Sequence, residues 1–178
     1  MGDIGFFWSE KFFMEEERKN TPARIEQVKK ELNARRKFQF TKFKNEYGYT
    51  QMIILKDIYF TSFCAHHLLP FVGKAHIGYI PRSEICGISK LARIVEKFAA
   101  KPQIQERMTQ EIVNFLEENL HPLGVGVIIE AEHLCITSRG IKKEKAIMIT
   151  SAMKGVFEEP KVKEEFLWLI KGGGGSGR

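Results

Sequence analysis

A chain of 178 residues with 43% hydrophobic and 28% charged residues is long enough to bury one core and too apolar to be a disordered segment. No apolar run reaches the ~18 residues of a membrane span, and the N-terminus lacks the basic, apolar and small-residue succession of a signal peptide. Three cysteines, Cys64, Cys86 and Cys135, argue against a disulfide framework, so the expected location is the cytoplasm, with no membrane partner.

Residues 1–20 are an apolar extension (Phe6, Phe7, Trp8, Phe12, Phe13) of the kind that forms a helix and docks on a neighbouring subunit. Thr21-Pro22 predicts a helix start, with Thr as N-cap and Pro at the first helical position, and Ile25, Val28 and Leu32 follow at helical spacing. Met52 to Leu55 and Ile58 to Phe60 read as strand, and Phe71 to Ile80 as a second strand. Ser89 opens a helix with Leu91, Ile94, Val95 and Phe98 on one face. Lys101-Pro102 interrupts it and starts another, which carries Ile104, Met108, Ile112, Phe115 and Leu116 inward until His121-Pro122-Leu123-Gly124 ends it. Val125 to Ala131 reads as a buried strand and Ala146 to Met153 as a further one, with Lys161 to Ile170 a closing helix. Residues 21–170 form the expected domain, and 171–178 resemble a flexible linker scar. The order of strands and helices is α+β with mostly antiparallel pairing.

The chemistry concentrates in two motifs, Phe63-Cys64-Ala65-His66-His67 and Glu132-His133-Leu134-Cys135. Thiolate and imidazole are preferred donors for zinc (Zn2+), and Cys64, His67 and Cys135 offer three ligands with a fourth position open, the arrangement of a catalytic rather than a structural site. His66 and His133 are then left over beside the ligands, suited to proton transfer near neutral pH. The bland alternative is that one of His133 and Cys135 is simply buried in the core. His76, His121 and Cys86 read as structural. Ser89, Lys90 and Arg93 open a helix whose N-terminus favours anions, with Arg139 following the second motif, although from the residues alone ordinary solvated cations are the favoured reading of Lys90 and Arg93. Gln105 and Glu106 begin the next helix, where a carboxylate either meets a guanine edge or only complements the dipole.

From about Thr21 to Ile170 the chain resembles GTP cyclohydrolase I. The resemblance is carried by Phe63 to Pro81, Gly87 to Val95, Pro102 to Thr109, Glu132 to Cys135 onward through Arg139-Gly140, and Thr150 to Met153. It implies a tunnelling fold (T-fold), an antiparallel sheet with two central helices and an N-terminal helical segment, assembled as a homodecamer with interfacial active sites. It also implies conversion of GTP to 7,8-dihydroneopterin triphosphate and formate, for folate, pterin-cofactor or deazapurine synthesis. Zinc would be held by Cys64, His67 and Cys135, with His66 and His133 moving protons. Gln105 and Glu106 would hold the guanine, and Ser89, Lys90, Arg93 and Arg139 the triphosphate. The family pattern has glutamate where this chain has Ala65, which leaves the ligand set intact and removes a carboxylate beside it.

Three other readings stand beside this one. A non-catalytic homologue would bind GTP or a pterin without releasing formate. A structural zinc protein would have no use for His66 and His133. A nucleic-acid binder would draw on the formal charge of +6, concentrated in Arg35 to Lys37, Lys42, Lys44, Lys142, Lys143 and Lys145, but no groove-reading motif accompanies it. No nucleic-acid partner is expected.

Overall fold

The computed structural model describes residues 19–172. All but the last two residues of the apolar extension, and all but the first two of the glycine-rich tail, lie outside the described residues. The chain divides into two compact units, Met1–Ala34 and Arg35–Arg178. The described part of the first is helix α1 (Thr21–Arg36), whose last two residues belong to the second unit. It starts where Thr21-Pro22 predicts. None of its residues is buried, however, and Ile25 and Val28 stay 45% and 47% exposed, so the apolar spacing does not produce an inward face.

The second unit is built on a five-stranded sheet in the order β5-β2-β3-β6-β7. Strands β2 (Ile53–Cys64), β3 (Pro70–Ile80), β6 (Gly124–His133) and β7 (Ile147–Gly155) pair antiparallel, while the two-residue β5 (Pro102–Gln103) runs parallel to the end of β2. A separate two-stranded ribbon joins β1 (Lys42–Lys44) to β4 (Glu84–Cys86). Two helices, α2 (Ile88–Ala99) and α3 (Gln105–Leu120), pack on one face of the sheet. Alternation along the strands sends Ile58, Phe60 and Cys64 of β2, Phe71, Ala75, Ile77 and Tyr79 of β3, and Val125, Val127, Ile129 and Ala131 of β6 against them. On the opposite face Ile128 meets Phe157 and Phe166, the latter from α5 (Pro160–Ile170). Leu116 of α3 is fully buried in the main core. Leu116→Ala is therefore expected to cost about 2–5 kcal/mol of stability, measured by urea denaturation, with the spread set by how far the cavity collapses.

The two strand segments read from the sequence are one strand interrupted by a bulge. The register with β3 shifts between Leu55 and Ile58, and Asp57 takes a left-handed φ of 56°. The residue is held there by Lys74 Nζ at 3.1 Å and by its own N–H, which donates to His76 Nδ1 at 3.3 Å. His76 Nε2 is buried, 3.4 Å from Glu130 Oε1 without a hydrogen bond. Burial, opposed by the charges of Glu130 and Asp57, holds this imidazole below its ordinary 6.5. The unfolded chain therefore binds more protons in the window below that value. The stability contributed by neutral His76 is complete above the ordinary value and is lost as pH falls through the depressed one. Urea midpoints between about pH 7.5 and pH 5.5 should fall more steeply for the parent than for His76→Gln.

Candidate metal centre and substrate site

The first motif is the turn that joins β2 to β3. Cys64 ends β2, its N–H donates to Leu69 O at 2.8 Å, and Leu68, at a left-handed φ of 54°, donates its N–H back to Cys64 O at 2.8 Å. β5 braces the same turn from outside. Cys64 pairs with Gln103, and the Ala65 N–H donates to Gln103 O at 2.8 Å. The Gln103 side chain is fully buried. Its Nε2 donates to Phe98 O at 3.0 Å and Glu111 Oε2 at 2.7 Å, and its Oε1 accepts from Arg107 Nε at 3.0 Å. Burial alone would raise the Glu111 carboxyl, but hydrogen bonds from Lys101 and Gln103 outweigh it and hold the group below its ordinary value. A fixed anion in the second turn of α3 thus anchors the residue that anchors the turn.

The second motif ends β6 and begins α4 (Leu134–Thr137), a four-residue helix carrying Cys135. The register of β3 with β6 sets Phe71 opposite His133, and the two rings stack with centroids 4.6 Å apart and planes 1° from parallel. Two residues along, β3 comes close enough to β6 to require Gly73, since a Cβ there would lie 2.1 Å from Glu130 O. The His133 ring is buried, and its Nε2 lies 2.8 Å from Gln105 Oε1. Burial pushes His133 below its ordinary value, with the Glu106 charge opposing, so the ring is neutral at neutral pH.

The two motifs meet. One donor atom from each of Cys64, His133 and Cys135 lies within 4.8 Å of the others. His67 Nδ1 is 3.8 Å from Cys64 Sγ and His66 Nδ1 4.0 Å, both rings on the exposed turn. Burial raises the Cys135 thiol, and Cys64 beside it raises it further. Two adjacent thiols with imidazoles around them match the soft donor set of zinc, because a divalent cation would stabilise both as thiolates. The trio that the structure assembles contains His133, whereas the sequence pairs the two cysteines with His67. His67 stands at the rim, beside Cys64.

The remaining candidates divide into two places. Glu106 is exposed in the first turn of α3, and Arg139 is exposed just beyond α4. Ser89, Lys90 and Arg93 lie at the start of α2, whose N-cap Gly87 provides no side-chain cap. Ser89 and Arg93 are exposed, and Lys90 Nζ donates to Gln39 O at 2.9 Å. The twelve-residue α2 puts about 18 Å of helix between this end and the segment leading to β5 beside Cys64. Gln105 is the residue expected beside Glu106 at a guanine edge. It is 1% exposed, its amide is bonded throughout within the chain, and it faces His133. Sequence reasoning passed over Gln103, Glu111 and Phe71, whose roles depend on register and packing. Gln103 and Phe71 lie within the matched stretches, whereas no sequence signal marked Glu111.

The family model for GTP cyclohydrolase I matches residues 8–171 of the chain. GTP cyclohydrolase 1 of Aquifex aeolicus is 51% identical over 155 residues, which cover 86% of this chain and 84% of that protein. GTP cyclohydrolase 1 of Hydrogenobaculum sp. is 49% identical over 154 residues, 86% of this chain and 85% of that one. Among solved structures, the apo form of the archaeosine synthase QueF-Like superposes with a TM-score of 0.48 at 16% identity, covering 58% of this chain and 93% of that chain.

Proposed function

The chain belongs to the GTP cyclohydrolase I family, with its tunnelling fold and its hydrolase class, and from that membership we propose that it converts GTP to 7,8-dihydroneopterin triphosphate and formate at a zinc centre. The observation that supports the reading most is the meeting of Cys64, Cys135 and His133 at the ends of β2 and β6. Cys64, Cys135 and His67 would hold the zinc. If His67 and His133 both bound, the site would be closed, and a catalytic zinc keeps one position open. His133 is the one locked by Phe71 and Gln105, while His67 sits on an exposed turn that can bring it to the metal. When bound, the zinc supplies Lewis-acid chemistry that makes water a competent nucleophile near neutral pH.

The chain's own residues do the rest. His133, kept neutral by burial, accepts a proton during opening of the imidazole ring and returns it during release of formate, and His66 serves as the solvent-facing partner. The Glu106 carboxylate accepts N–H groups from the pyrimidine edge of guanine. Lys90 has three donors, so it can keep its bond to Gln39 and still meet a phosphate, alongside Ser89, Arg93 and Arg139. Because the start of α2 is a helix length from the segment beside Cys64, a substrate that touches both is best served by two copies of the chain. This favours a homo-oligomer with interfacial sites, and the decamer is what the family resemblance implies.

Zinc-loaded protein incubated with GTP and analysed by mass spectrometry tests the reaction. Formate and dihydroneopterin triphosphate are expected. Stoichiometric GTP binding without formate, in the parent and in Ala65→Glu alike, would favour a non-catalytic GTP- or pterin-binding homologue. Zinc content separates the histidines: His67→Ala should lose the metal, and His133→Ala should keep it but lose turnover by about 100-fold or more. The reverse pattern would exchange their roles.

A further inference from the structure

We infer that Gln105 is a positioning residue that fixes His133 as its Nε2–H tautomer, leaving Nδ1 as the ring's free lone pair. The amide nitrogen of Gln105 lies 3.1 Å from Ile129 O, 3.0 Å from Met148 O and 3.2 Å from Thr150 Oγ1. Backbone carbonyls only accept, so the nitrogen must face them, and a flipped amide would set oxygen against oxygen twice. The amide oxygen is therefore the atom that meets His133 Nε2 at 2.8 Å. An amide oxygen cannot donate, so the proton in that bond belongs to the imidazole.

The surrounding bonds run in one consistent direction. Thr109 Oγ1 donates to Gln105 O at 2.8 Å, which leaves Thr150 Oγ1 to donate to Thr109 Oγ1 across 2.7 Å and to accept from the Gln105 amide. Phe71 fixes the plane of the imidazole and Gln105 its rotation within that plane. Gln105 and Glu106 are adjacent in sequence, but the helix turns them about 100° apart. The first points into the network and the second stays exposed, free for substrate.

The inference rests on the reading of His133 as the proton carrier of the site, but its first test does not. Magic-angle-spinning NMR of sedimented, zinc-loaded protein labelled with 15N-histidine reads the tautomer directly, with the His133 signals identified by their loss in His133→Asn. The expected parent spectrum has a proton on Nε2 and none on Nδ1. Gln105→Leu keeps similar bulk and removes the acceptor. It should give mixed tautomers and lower kcat by about 10- to 100-fold, with KM for GTP changed by less than about threefold, kinetics being taken in the Ala65→Glu background. A proton on Nδ1 in the parent overturns the inference whether or not the protein turns over GTP, and this measurement needs no variant of Gln105 to fold. An unchanged tautomer in Gln105→Leu also overturns it. So does a raised KM at constant kcat, which would return Gln105 to the substrate.

Discussion

Cys135→Ser protein is expected to keep its fold, carry no stoichiometric zinc and release formate from GTP at least about 1000-fold more slowly than the parent. Cys135 is only half-buried on the four-residue α4, so exchanging sulfur for oxygen disturbs little packing. What changes is the donor. A serine hydroxyl does not ionise near neutral pH, whereas the Cys135 thiol, raised by burial and by Cys64, would be stabilised as a thiolate by a bound divalent cation. Metal analysis, formate release and the melting temperature check this together. Metal stripping should lower the melting temperature of the parent and leave that of Cys135→Ser unmoved, because binding to the folded state is stabilisation by mass action. Full zinc content in Cys135→Ser would remove this residue from the ligand set.

Ala65→Glu is expected to raise kcat by about 10- to 100-fold, the size of effect that groups just outside a metal's ligands exert. Ala65 follows the buried ligand candidate Cys64, and its backbone is already pinned by Gln103 O at 2.8 Å, so a longer side chain enters a turn of fixed position. The neighbours it would meet in sequence are His66 and His67, and Arg139 lies close enough to Cys135 to act on its thiol. A carboxylate in that electropositive setting would orient the arginine or accept a proton from an imidazole, without competing for the metal. The prediction is higher kcat at unchanged zinc content and nearly unchanged melting temperature. A parent that already turns over as fast as Ala65→Glu would show the missing carboxylate to be dispensable and would withdraw the proposed impairment.

The elements that periodicity made legible were those with a single environment. α2 and α3 show an apolar stripe at helical spacing and have one buried face. β6 reads as a continuous apolar run because both its faces are covered, Val125, Val127 and Ile129 by the main core and Ile128 by Phe157 and Phe166. Reading failed where burial depends on what lies opposite. Ile25 and Val28 have the spacing of an inward face and remain open. The break at Lys56-Asp57 carried no sequence signal of its own, and it is Lys74 and His76, from the neighbouring strand, that make it a bulge.

Residue types and their spacing determined the chemistry: two cysteines, three histidines, a helix start with two cations, and a family pattern with one departure at Ala65. Which histidine stands where was decided by tertiary structure alone. His133 is buried because β3 and β6 pair in the register that stacks it on Phe71, and Gln105 turns inward because three acceptors from β6 and β7 converge on its amide. The physical reason is that composition specifies which donors and acceptors exist. Strand register and helix phase, fixed by packing between segments distant in sequence, specify which of them face one another.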